Sequence, residues 1–169
     1  MRTAVFSGFV VFLWKMFSWM VLPFHMMTFN SFTNERQMAD LFRENAPQSG
    51  VYMMPSMNTP ADMQQSMPCV FTSINWDHMG SHMTGSILLS LLAQVFIAYF
   101  IAWLLAQSKT SNLKAKVRFV VCVALVGGLL HLLPGWIWVG YSFAYVVVNL
   151  LDLTIGWFLG GLVMAKTLK

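Results

Sequence analysis

Lys15 and Asp152 each stand in the middle of a long apolar run, where an ionisable side chain is costly and by default marks a functional site. Counted inward along each run, Lys15 lies 12 residues beyond Thr3 and Asp152 lies 13 residues before Ala165. If both runs are helices rising 1.5 Å per residue, both charges lie roughly 18–20 Å deep. Opposite charges at one depth predict a buried ion pair, with Asn149, one turn from Asp152, adding a hydrogen bond. Such a pair can fix the register of two helices, or act as a proton or ion relay in a small transporter or proton-coupled subunit. The register reading is the stronger, because a transport path usually holds more intramembrane polar groups than these runs contain.

A second constellation is built from histidine and methionine. His25, His78, His82 and His131 all fall near the ends of apolar runs, and His78 and His82 are spaced i, i+4. Met79 and Met83 adjoin that pair, Met26 and Met27 adjoin His25, and ten of the 14 methionines lie between Met26 and Met83. Imidazole with thioether suits Cu(I), so these residues are candidate ligands of a copper-binding or copper-handling protein. The plainer reading is that methionine fills gaps and that histidines at helix ends bond to water or backbone. The H-x-x-x-H spacing encloses Met79, Gly80 and Ser81, without the glutamate that a zinc-protease helix carries. No nucleophile elbow, P-loop, C-x-x-C or dinucleotide fingerprint occurs, so no enzyme and no cofactor are expected, with copper as the alternative ahead of a haem held between helix ends.

The elements that must position these residues are restricted by composition. Of 169 residues, 57% are apolar and only 9% charged, which excludes an ordinary soluble domain and a disordered chain. Cys69 and Cys122 are the only thiols, too few for a disulfide scaffold. Four apolar stretches, about Ala4 to Leu22, Ile87 to Ala106, Val117 to Leu133 and Val139 to Ala165, compare with the ~20 residues that cross a bilayer as a helix. Barrel-type alternation is absent, which leaves helices as the spanning elements. The expected architecture is a membrane all-α bundle of four transmembrane helices, with a small α+β periplasmic insertion between the first and second. Its boundaries are a first helix within 1–27, the insertion over 28–83 and a second helix within 84–107. A loop at 108–116, a third helix over 117–133, a turn at 134–138 and a fourth helix with its tail over 139–169 complete it.

Charge sets the orientation. Arg2, Lys109, Lys114, Lys116, Arg118, Lys166 and Lys169 gather at one set of helix ends with no acid among them, whereas residues 28–83 carry five acids against two arginines. Cations favour the cytoplasmic side, so both termini are expected there, with residues 28–83 and the Leu133-Pro134-Gly135-Trp136 turn opposite. The basic balance is thus a topology signal, and no nucleic-acid partner is expected. The first run exceeds a signal-peptide core and no A-x-A-like site follows it, so it is expected to stay as a helix. Cys122 falls inside the third run and Cys69 outside the membrane, which rules out their pairing within one chain.

Within the insertion, Thr33 or Asn34 can cap a helix with Glu35 in its first turn and Met38, Leu41 and Phe42 on one face. Asn45, Pro47 and Gly50 stop it. Val51 to Met54 and Cys69 to Ile74 read as short strands of an antiparallel hairpin, joined by a polar loop or helical turn over 56–67. The whole segment is expected to fold against the helix ends. Gly156-x-x-x-Gly160 with Gly161, the Ala98-x-x-x-Ala102 row and Gly127-Gly128 are expected to bring helices close together within one chain. Trp14, Trp19, Trp136, Trp138 and Tyr141 read as interfacial aromatics or packing bulk.

Through Phe12-Leu13-Trp14, Ser18 to His25, Ser31 to Glu35, Ala46 to Tyr52 and Asn149 to Trp157, the chain resembles a set of small uncharacterised bacterial inner-membrane proteins with four predicted spans. The resemblance implies a bacterial inner membrane and a periplasmic 28–83 segment, and brings no activity. The function expected is that of a non-enzymatic accessory or interaction protein in the lipid bilayer, contacting a membrane or periplasmic protein through its insertion.

Overall fold

The computed structural model describes residues 1–77 and 82–168. Helix α1 (Arg2–Val21) ends where Leu22 turns extended, because Pro23 disfavours helical backbone in the residue before it. The chain then reverses through a single 3-10 turn, Met26–Thr28. Helix α2 (Glu35–Asn45) starts at Asn34, whose side-chain oxygen accepts from Gln37 N at 3.0 Å, as the capping pattern predicts. Strands β1 (Gly50–Met54) and β2 (Val70–Ile74) pair antiparallel with Tyr52 opposite Thr72. A short helical turn, α3 (Ala61–Gln64), lies between them.

Three further long helices follow, α4 (Met83–Gln107), α5 (Leu113–Pro134) and α6 (Phe143–Thr167), and with α1 they are long and apolar enough to cross a membrane. Lys109, with φ at 50°, reverses the chain after α4, and Asn112 caps α5 by accepting from Lys114 N. The expected turn at 134–138 is not a turn. Pro134 withdraws one N–H from the helical ladder, and the chain continues as a π-helical segment over Gly135–Val139. Reversal falls instead at Gly140, whose φ of 88° suits a residue without Cβ, and Ser142 then caps α6 through Tyr145 N.

The bundle is ordered α4, α1, α6, α5, so α1 and α6 each have a neighbour on both sides. Small residues decide how closely these neighbours approach. A Cβ on Gly8 would stand 2.5 Å from Val95 Cα, so α1 meets the backbone of α4 there. Ala98 and Ala102 are buried with Ile101 and Leu105 in the core that α4 shares with Ala4 and Val11. On α6, added methyls at Gly156 and Gly160 would press on Trp14 and Val11 of α1, and one at Gly161 on Val120 of α5. Gly128 faces Leu153 and Leu150, whereas Gly127 faces open space and takes no part in the packing.

The insertion differs from expectation in its packing. Among the described residues, the Met26–Thr28 turn rests on α6, and Phe29 just after it packs edge-on against Tyr145 of that helix. Among the described residues α2 and the strands make no comparable contact with the long helices and are held by local bonds. Trp76 donates its indole N–H to Ala46 O at 2.8 Å and its backbone N–H to Ser49 Oγ, tying the end of β2 to the end of α2.

Because the neighbours of Gly8 are backbone atoms that cannot rotate away, Gly8→Ala is expected to cost about 1–3 kcal/mol. Gly127→Ala, with nothing to strike, should leave stability unchanged or slightly raised. Reversible unfolding of both variants in detergent checks this, and equal effects would contradict the packing described.

Candidate functional site

The seam between α1 and α6 is built on a repeat of Ser7, Val11, Trp14 and Ser18, which recur every three or four residues and so occupy one helix face. At one end Ser7 donates its hydroxyl to Gly160 O at 3.0 Å. The absence of a side chain at Gly160 and Gly156 lets α1 lie close enough for the next groups to meet. Trp14 stands over Gly156, and its indole N–H reaches the Asp152 carboxylate oxygen Oδ1 at 2.8 Å and the Asp152 carbonyl at 3.1 Å. The neighbouring Lys15 places Nζ 2.6 Å from Asp152 Oδ2. Asp152's side chain is wholly buried, while that of Lys15 is 28% exposed.

Both carboxylate oxygens therefore receive a donor from α1, one from an ammonium and one from an indole. A buried carboxylate needs such partners, since desolvation without them would cost several kcal/mol. The chain reversal after α1 adds a third group. His25, almost fully buried, packs its ring against Trp19 at 4.1 Å between centroids and against Phe24. Its Nε2 lies 3.0 Å from Ser18 Oγ and 3.6 Å from Asp152 Oδ2. Thr28 closes the turn by donating its hydroxyl to His25 O at 2.7 Å.

Serine, histidine and aspartate are thus brought together, but not as a hydrolytic triad. A triad requires the serine on one ring nitrogen and the acid on the other, so that the acid can orient a base that takes the serine proton. Here both face the same nitrogen. The arrangement instead ties the outgoing end of α1 and the turn behind it to one point on α6.

Of the residues singled out from sequence, Lys15 and Asp152 meet directly. Asn149 does not join them, because its amide donates to Tyr145 O at 2.8 Å, four residues back on its own helix. Trp14 takes the place expected for it. The missed signal was that an indole N–H can only donate, and Trp14 precedes Lys15 on a helix expected to face a buried acid. Ser18 and His25 were legible only in retrospect, through the reversal that Pro23 imposes.

The described members of the histidine and methionine set lie on different elements. His25 is turned into the bundle, His82 and Met83 stand at the start of α4, and His131 is exposed in the last turns of α5. His78 and Met79 lie outside the described residues. Among the described residues no three His, Cys, Asp or Glu side chains are grouped to hold a metal ion. The chain matches no family model, no curated protein and no solved structure.

The different exposures of the ion-paired residues predict an asymmetry. Without its acid, the partly exposed Lys15 ammonium can extend along its helix toward the nearer end on its flexible stem, whereas the wholly buried Asp152 carboxylate has no such escape. Lys15→Met is expected to cost about 3–5 kcal/mol and Asp152→Asn clearly less. The double variant should recover part of the Lys15→Met loss, as read from unfolding midpoints in detergent. Strictly additive effects would mean that the two charges do not depend on each other.

Proposed function

We propose that the protein is a non-enzymatic integral protein of a bacterial inner membrane, with a periplasmic insertion that contacts a membrane or periplasmic protein partner. In this reading both termini are cytoplasmic and residues 28–83 face the periplasm. The segregation of cations from acids along the chain supports that orientation.

One observation carries the functional part. The insertion leaves its apolar side chains uncovered: Val51, Met53, Phe71 and Leu41 are all exposed, and Met57 is 93% exposed. A two-stranded sheet buries little on its own, and both its outer edges keep backbone donors and acceptors free for another strand. Exposed apolar surface with open edges is the kind of surface a protein partner covers. The interior cluster supports the same division of labour. No buried side-chain polar atom among the described residues lacks a hydrogen-bond partner, which suits a scaffold better than a relay.

Orientation is tested with the native thiols. A membrane-impermeant maleimide should label Cys69 in intact cells of a Cys122→Ser strain, and labelling only after lysis would reverse the topology. The contact surface is tested by placing a photocrosslinking residue at Val51, Phe71 or Gln37. Val51 and Phe71 should yield a discrete crosslinked protein band and Gln37 none. Identical patterns at all three positions, or adducts to lipid alone, would overturn the partner reading.

A further inference from the structure

At the opposite end of the bundle from the insertion, a cleft of about 570 Å³ opens between the start of α5 and the end of α6. Its lining divides by chemistry. Lys114 and Arg118, one turn apart on α5, stand at the cleft, while Val117, Phe158 and Leu162 form an apolar wall. Both cations are exposed, and none of the acidic side chains lies within ion-pair distance of either. Lys116 between them points away and caps the end of α6 through Leu168 O at 2.7 Å. The cleft also lies at the N-terminus of a 22-residue helix whose first turn contains no acid, which adds a positive partial charge.

We propose that this cleft binds one anionic phospholipid, with its phosphate held by Lys114 and Arg118 and an acyl chain lying on Phe158 and Leu162. Direction favours a lipid over an acidic peptide or a free anion. Leu162 and Phe158 are successive turns of α6, so the apolar wall runs along the helix axis for about 6 Å from the charged rim toward the middle of the bundle. A headgroup at the rim therefore directs its chain along the wall, whereas a soluble anion has no use for it. Charge favours an anionic lipid over a zwitterionic one, whose own ammonium would meet two cations with no acidic side chain beside them. Basic pockets between membrane helices are suited to such headgroups. The cations belong to the group that points to the cytoplasmic side, which places the lipid in the inner leaflet.

The inference rests on the membrane reading, and the two fail differently. Should that reading be wrong, the purified chain would stay soluble and monodisperse once detergent is removed. The lipid site is tested by native mass spectrometry of the full chain in nonionic detergent, titrated with phosphatidylglycerol. One bound lipid is expected, with apparent affinity reduced at least about tenfold in Lys114→Ala/Arg118→Ala and changed less than about twofold in Lys109→Ala/Lys166→Ala. Leu162→Trp, which keeps both charges and fills the cleft, should lose the lipid as well. Phosphatidylethanolamine should not be retained, and inorganic phosphate should not displace phosphatidylglycerol. Equal retention by all variants would show diffuse attraction to surface cations and overturn the site. Displacement by inorganic phosphate would make it a free-anion site, and a dimer that forms without lipid and is lost in the Lys114→Ala/Arg118→Ala variant would assign the cleft to a second copy; both outcomes overturn the proposal.

Discussion

The Asp152 carboxylate is the constraint on which the rest of the bundle depends. A negative charge with no solvent exposure has to be met by donors brought from elsewhere, and all of them come from α1 and the turn that follows it. That requirement fixes how far α1 can slide along α6 and how far it can rotate. A slip of one turn, about 5.4 Å, would remove both the ammonium and the indole from the carboxylate. Trp14 over Gly156 and Ser7 on Gly160 keep the same register about one and two turns along α6 from Asp152, so the charge and the glycines select the same pairing. Agreement between independent local choices is what gives a sequence one structure.

Close approach and charge burial are linked in this seam. An ion pair in an apolar interior is only worth its desolvation when geometry is good and the remaining lone pairs are satisfied. Glycine at 156 and 160 supplies the geometry by letting α1 come near enough, and Trp14 supplies the second donor. His25 then ties the chain reversal to the same point, so that the insertion begins from a fixed position although little else holds it to the bundle. A rigid anchor and a loosely attached apolar surface are compatible with a scaffold that presents a contact segment.

Much of this was legible because it depends on one-dimensional arithmetic. Equal depth for Lys15 and Asp152 follows from counting residues, the start of α2 from the chemistry of Asn34, and the strands from the glycine and prolines that bound them. What was not legible depends on rotation and on the chain's path in space. Asn149 lies one turn from Asp152, yet its amide finds a carbonyl on its own helix sooner than the carboxylate. His25 was grouped with other histidines by position along the chain, whereas the turn after Pro23 sends it back inside. Pro134-Gly135 carries the usual marks of a turn, but here the lost N–H and the crowded carbonyl four residues back are accommodated by widening, and the helix ran on as a π-helical segment. Gly8 gave no sign at all, since a lone glycine in an apolar run does not say which neighbour's backbone it will meet.

The two ends of the bundle answer different demands, and the distribution of charge shows why. Acids are absent from the end that holds Arg2, Lys114, Arg118 and Lys166, so cations there have only backbone carbonyls, water or an external anion as partners. Lys116 takes the carbonyl that α6 leaves open at its C-terminus. Lys114 and Arg118 face outward over an apolar cleft instead. At the other end Arg43 pairs with Asp40 on α2, acids still outnumber arginines over residues 28–83, and large apolar side chains stand exposed beside them. The two proposed contacts follow this division, the first end with an anionic surface through unlike charges and the second with a partner that covers apolar side chains and completes a sheet. Asp152, between them, holds the register of α1 against α6, from which the chain leaves toward the insertion.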